Sequence, residues 1–179
     1  MMKMLETERL ILREFREDDF DAVHSYAGCT DNTVYWPWGT NSEDDTKTFI
    51  RGVINETMKE DSRRNYIYAA ILKDTGKLIG DCDISLEDGE MALGWTLHRD
   101  YWKQGYGTEM GRALLEFGFE ELCLHRITAH CDSENNGSYG IMEKIGMRRE
   151  GLFLEARPAH KLSNKKYGDE LHYAILKDE

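Results

Sequence analysis

Residues 95–110 read WTLHRDYWKQGYGTEM, a β-prone run that passes into a loop carrying Gly105 and Gly107 and then into a helical period. That succession binds anions. Glycines let the backbone turn sharply and point successive N–H groups outward, and the helix expected from Thr108 onward adds the positive end of its dipole. A pyrophosphate is the natural guest; an ordinary glycine loop before a helix is the alternative. Two familiar phosphate loops do not fit. No glycine is followed by Lys-Ser or Lys-Thr, as a triphosphate loop requires, and a dinucleotide fingerprint would need Gly or Ala at Met110.

Before this segment, 66–72 (YIYAAIL), 77–86 and 90–97 read as strands joined by turns at Asp74-Thr75-Gly76 and Asp88-Gly89. Such an antiparallel meander excludes the βαβ unit of a Rossmann oxidoreductase. After it come a helix over 108–122 with Met110, Ala113, Leu114 and Phe117 on one side, a strand over 126–131, and a short helix over 135–144 stopped by Gly146. Strand-like runs at 148–154 and 170–176 follow. Toward the N-terminus, 9–15 (RLILREF) reads as a strand and Asp18 opens a helix. The stretch 33–39 (TVYWPWG) is an aromatic loop that Pro37 keeps irregular, and Ser42 with Asp45 forms a capping box before an amphipathic helix carrying Phe49, Ile50, Val53, Ile54 and Met58. The order β-α-α-β-β-β-α-β-α-β-β predicts one α+β domain over 1–179, a mixed, mostly antiparallel sheet with helices packed on both faces.

Composition agrees with one domain: 179 residues, 40% hydrophobic, enough apolar surface to build a core. No apolar run reaches the ~18 residues of a membrane span, and the opening MMKMLETER lacks the apolar core of a signal peptide, so a cytoplasmic location is expected. Cys29, Cys82, Cys123 and Cys131 form no C-x-x-C pair, which signals neither a metal site nor disulfides. A net charge of −11 argues against nucleic-acid binding. The same field attracts a cationic amine, unless the acidity serves solubility alone.

The run 101–109 (YWKQGYGTE), followed by 135–147 (NNGSYGIMEKIGM), closely resembles the GNAT superfamily of acetyl-CoA-dependent N-acetyltransferases, and more narrowly its Rim-type ribosomal-protein N-terminal branch. The segments 6–20 (ETERLILREFREDDF), 35–39 (YWPWG) and 167–176 (YGDELHYAIL) resemble the same branch, so the likeness spans essentially the whole chain. It implies a fold, a cosubstrate and a set of roles. The family's acetyl-CoA loop, [R/Q]-x-x-G-x-[G/A], falls on 102–107 with Trp102 at its first position, a residue usual in this branch. By this resemblance the amides of Gln104, Gly105, Gly107 and Thr108 hold the pyrophosphate, Lys103 adds positive charge, and Leu97 offers its N–H to the pantetheine or the thioester oxygen. Asn135 would bind the pantetheine arm and Ser138 would lie near the departing sulfur; alternatively Asn135 is only an N-cap and Ser138 satisfies first-turn donors.

Where many relatives carry a tyrosine acid this chain has Met142, with Tyr139 one turn earlier, and Ser138 is the substitute. Where the branch often carries a glutamate base it has Ala92. Glu90 shares that strand face and would act through a water, unless it is an exposed hairpin residue; His130 is the second candidate. Tyr35, Trp36 and Trp38 belong to the acceptor-side loop, where flat rings would pack on a cation or peptide backbone, or else against the core. A peptide α-amine, with a pKa of about 7.7 to 8.0, needs a weaker base than a lysine amine near 10.4. The expected activity is therefore direct acetyl transfer from acetyl-CoA to a primary amine, a peptide or protein N-terminus, without a covalent enzyme intermediate or a metal. A non-catalytic acyl-CoA-binding module and an acetyltransferase for a small-molecule amine are the alternatives. A monomer or homodimer is expected, with no nucleic-acid or membrane partner.

Overall fold

A computed structural model describes residues 4–59, 63–160 and 162–179. Its elements run β1 (Leu5–Glu6), β2 (Leu10–Arg13), α1 (Phe20–Ala27), α2 (Glu43–Thr57), β3 (Asn65–Leu72), β4 (Leu78–Glu87), β5 (Glu90–Leu97), α3 (Tyr106–Glu116), β6 (Arg126–Asp132), α4 (Asn136–Lys144), β7 (Arg148–Pro158) and β8 (Tyr167–Leu176). Local chemistry explains the boundaries. Ser42 Oγ accepts from the Asp45 N–H at 3.2 Å, while Asp45 accepts from the Ser42 N–H at 2.9 Å, closing the anticipated capping box. Asp88 and Gly89 both take positive φ, 48° and 88°, the geometry that a two-residue hairpin turn demands.

The strands form one sheet in the order β1-β2-β3-β4-β5-β6-β8-β7, antiparallel except between β5 and β6. Alternating side chains feed two cores. On one face Val23, Tyr26 and Ala27 of α1 and Ile50 and Val53 of α2 pack on Ala69 and Ile71; on the other, Met110 and Leu114 of α3 and Met142 of α4 pack on Ile79, Cys82, Ile84 and Ile127. The sheet and its two helical layers are those expected from sequence. Local differences appear at several ends, β7 running on to Pro158 rather than 154 and β8 beginning at Tyr167 rather than 170. The short β1 extends the sheet beyond the anticipated first strand, and α3 begins at Tyr106, two residues before Thr108, before passing into a π turn over Phe117–Glu121. Among the described residues no helix is long and apolar enough to cross a membrane.

The parallel junction positions the site. β5 and β6 pair at Ala92↔Thr128, near their starts, and the ladder records no further pair toward their C-terminal ends. A parallel sheet that stops pairing there leaves a cleft between strand ends, beside the starts of α3 and α4.

Candidate active site

Gly105 is the N-cap of α3 at φ 88°, and Lys103, also left-handed at φ 59°, precedes it. These two residues make the turn. The first intrahelical bond runs from the Glu109 N–H to the Gly105 carbonyl at 3.1 Å, so the amides of Gly105, Tyr106, Gly107 and Thr108 lie before it and point out of the helix start. Gly107 is inside the helix, not in the turn. A Cβ there would overlap Ile141 Cδ1 of α4, so its missing side chain serves helix packing, a role that the sequence reading assigned to phosphate approach. Trp102 Nε1 donates to the Leu97 carbonyl at 2.8 Å, tying the loop back to the end of β5.

The Leu97 backbone faces the cleft. Because the His98 N–H bonds to the Ile79 carbonyl at 2.8 Å, antiparallel alternation turns the N–H groups of Leu97 and Trp95 away from β4, toward the parted strand β6. Asn32, which the sequence reading did not single out, fixes this strand end. Its Nδ2 donates to the Leu97 carbonyl at 3.1 Å and its Oδ1 accepts from the Arg99 N–H at 2.8 Å.

Across the cleft, Asn135 caps α4, its Oδ1 accepting from the Ser138 N–H at 3.1 Å. Ser138, Asn135 and Met142 all line a cavity of about 700 Å³ that runs through the gap to the aromatic loop. Cys131 lies in the same wall; burial pushes its thiol up to about 11, with the Ser138 hydroxyl pulling the other way. Tyr139 instead packs with the apolar core, on the α3 side of the sheet.

The same cavity is lined by Tyr35, Trp36 and Trp38. The Tyr35 hydroxyl donates to the Glu134 carbonyl at 3.0 Å, and Arg157 Nη2 donates to the Tyr35 carbonyl at 2.8 Å. Trp36 leans on the α1–α2 core, while Trp38, 5.2 Å from it between ring centres, is 72% exposed at the mouth. Of the two roles considered for the loop, packing against the core is the one that Trp36 takes, while Trp38 stands exposed beside it.

Sequence reasoning missed the cavity's carboxylates. Asp81 and Asp83 project from β4 into it, Asp81 accepting from the Tyr26 hydroxyl and Asp83 from the Ser85 hydroxyl, each at 2.6 Å. Burial raises both, Asp81 to about 7 and Asp83 to about 6. Small partners make their space: Gly94 sits opposite Asp83, where a Cβ would overlap Asp83 Oδ1, and Ala92 lies on the same face. The available signal was a pair of acids at period two, flanking the buried Cys82, in the otherwise apolar run 78–84.

The structure does not bring Glu90 to this cavity. Glu90 lies at the hairpin end of β5 and accepts from Arg126 Nε at 3.1 Å, Arg126 being held also by Glu150. His130 does reach the cavity, with Nδ1 3.7 Å from Glu87 and its ring stacked on His172. Arg157 stands between two carboxylates, its Nε 3.8 Å from Asp132 and its Nη1 3.9 Å from Glu170, too far for hydrogen bonds, and Arg157 Nε and Asp132 Oδ2 are buried without a hydrogen-bond partner. Among the described residues no cluster of His, Cys, Asp and Glu has the makings of a metal site.

Residues 9–148 match the family described as Acetyltransferase (GNAT) domain. The chain is a GNAT N-acetyltransferase. This GNAT enzyme is 38% identical over 175 residues to the uncharacterized N-acetyltransferase YnaD of Bacillus subtilis (strain 168), a match spanning 97% of this chain and 96% of the relative. Its structure superposes on an acetyltransferase of the GNAT family from Bacillus anthracis with a TM-score of 0.87 and 36% identity, covering 99% of this chain and 100% of the other. RimL, a ribosomal L7/L12 α-N-protein acetyltransferase solved in complex with coenzyme A, shares the fold with a TM-score of 0.81 at 18% identity, over 98% of this chain and 99% of its own.

Proposed function

We propose that the enzyme transfers an acetyl group from acetyl-CoA to the primary amine of an acceptor seated in the aromatic and acidic cavity. The observation that carries this reading is one cavity lined together by Trp95 of β5, Cys131 of β6, Ser138, Asn135, Trp38 and Asp83, beside the parted β5–β6 pair. The residues fit the cosubstrate: outward amides at the start of α3 suit a diphosphate, and the cleft-facing N–H groups of Trp95 and Leu97 suit an amide-bearing arm.

Acetyl-CoA, when bound, supplies the acyl group as a thioester. Asp83 takes the ammonium proton through a water, because a carboxyl raised to about 6 is a base matched to neutral pH. The N–H of Trp95 or Leu97 meets the oxygen on which negative charge develops. Ser138 hydrogen-bonds the departing sulfur. His130, which lines the same cavity beside Glu87, takes the second proton, the one left on nitrogen once the C–N bond has formed and the C–S bond has broken. The peptide α-amine carried over from the Rim-type resemblance suits this weak base, since much of it is already neutral near pH 7.5. A panel of N-terminal peptides, polyamines, aminoglycosides and amino acids, read by release of the coenzyme A thiol, tests the proposal. Turnover of peptides supports it; preference for a polyamine or free lysine would reassign the acceptor, and coenzyme A binding with no turnover of any amine would leave a binding module.

A further inference from the structure

The turn at Lys103 and Gly105 is gripped from outside. Arg9, the residue just before β2, donates from Nη1 to the Gln104 carbonyl at 3.0 Å and lays its guanidinium 4.2 Å over the Tyr106 ring. The remainder of that side chain faces Glu109 in the first turn of α3, with Nε 2.8 Å and Nη2 2.7 Å from Oε2. Glu109 is held from two further directions, by the Arg9 backbone N–H at 2.7 Å and by the Thr7 hydroxyl. A carboxylate at a helix start competes with any anion for the same amides. Here it comes already paired with an arginine.

We propose that Arg9 is a positioning residue of the diphosphate loop, acting with Thr7 and Glu109 as a clamp. Arg9 fixes the Gln104 carbonyl inward, so that the amides following it face outward, and it cancels the charge of Glu109, so that the start of α3 accepts an anion. The inference rests on the reading of 102–108 as the acetyl-CoA loop. Only a planar fork can span the Gln104 carbonyl and the Glu109 carboxylate together, which separates arginine from lysine at this position.

The test compares wild type, Arg9→Met, Arg9→Lys and the double variant Arg9→Met/Glu109→Gln. Coenzyme A binding is measured by titration calorimetry, and turnover is measured with acetyl-CoA and with S-acetylpantetheine, which has no diphosphate. Arg9→Met is expected to weaken coenzyme A binding about 10- to 100-fold, the loss of charge-assisted hydrogen bonds, with Arg9→Lys intermediate. The double variant recovers part of that loss, because the uncompensated carboxylate is gone. KM for acetyl-CoA rises while kcat at saturation and turnover of S-acetylpantetheine hold. Wild-type affinity in Arg9→Met overturns the clamp, as does a double variant no tighter than the single one, or an equal loss with S-acetylpantetheine, which would mark Arg9 as a support of the fold alone. Should Arg9→Met fail to fold, Arg9→Lys carries the same comparison of the two donors. A wild type that binds no coenzyme A is a separate failure, that of the loop reading itself.

Discussion

Replacing Asp83 by Asn probes the proposed base and the burial of its charge in one variant. In the folded chain burial lifts this carboxyl from its ordinary 3.8 to about 6, so the native state keeps a proton that the unfolded chain has released. Stability is therefore lost as pH rises from about 4 through about 6, and above that the loss is complete at about 3 kcal/mol. Asparagine has no charge to desolvate and still accepts the Ser85 hydroxyl, which lies 2.6 Å from Asp83. Asp83→Asn is expected to be as stable as wild type near pH 4 and up to about 3 kcal/mol more stable at pH 8, a gain of several degrees in Tm. Chemistry runs the opposite way: kcat/KM falls about 100- to 1000-fold and the acid limb of its pH profile near 6 disappears. Urea unfolding at pH 4 and 8, with thiol release followed from pH 5 to 9, reads both effects. Equal stability at pH 8 would show that the carboxyl is not desolvated, and full activity with an intact acid limb would show that another group takes the proton.

Three further outcomes are expected. Ser138→Ala lowers kcat about 10- to 100-fold with little change in coenzyme A affinity, whereas Tyr139→Phe, altering a ring packed in the core, leaves kcat unchanged; steady-state kinetics of the pair checks the assignment, and reversed effects would exchange the two roles. In Gly107→Ala the new methyl strikes the Cδ1 end of Ile141, a cost of about 1 kcal/mol or more that the helix-favouring alanine partly offsets, and Ile141→Val in the same chain relieves it, so the double variant is more stable than the two single effects sum to; denaturation of the single and double variants measures the coupling. Glu90→Gln, at an exposed ion pair with Arg126, leaves kcat/KM within about twofold and costs less than about 1 kcal/mol, so a large kinetic loss there would return Glu90 to the base's role.

What the sequence made legible was whatever is decided within a few neighbours. The capping box at Ser42, the cap at Asn135 and the full extent of β5 follow from local spacing, and all three stand in the structure as expected. The anion loop was legible as a loop, but its inner division of labour was not. That Gly105 turns while Gly107 packs depends on Ile141, 34 positions downstream. Glu90 looked suited to catalysis because strand alternation put it on the right face; its partner Arg126 arrives only when β6 folds alongside. Asp81 and Asp83 were hidden by the opposite error. They sit in a run that reads simply as a strand, and only the cavity beside Gly94 shows what the acids face.

Gly107 and Gly111, one turn apart on α3, meet Ile141 of α4 and Ile145 at its C-cap without side chains of their own to hold the helices apart. Two rigid rods locked along such a seam behave like the jaws of a caliper, because the start of one and the start of the other stand at a set distance. A donor whose phosphates rest on the first jaw presents its sulfur to Ser138 on the second only if the arm between has the right reach. Such a pair of helix starts would gauge a donor by length before any acyl group is examined.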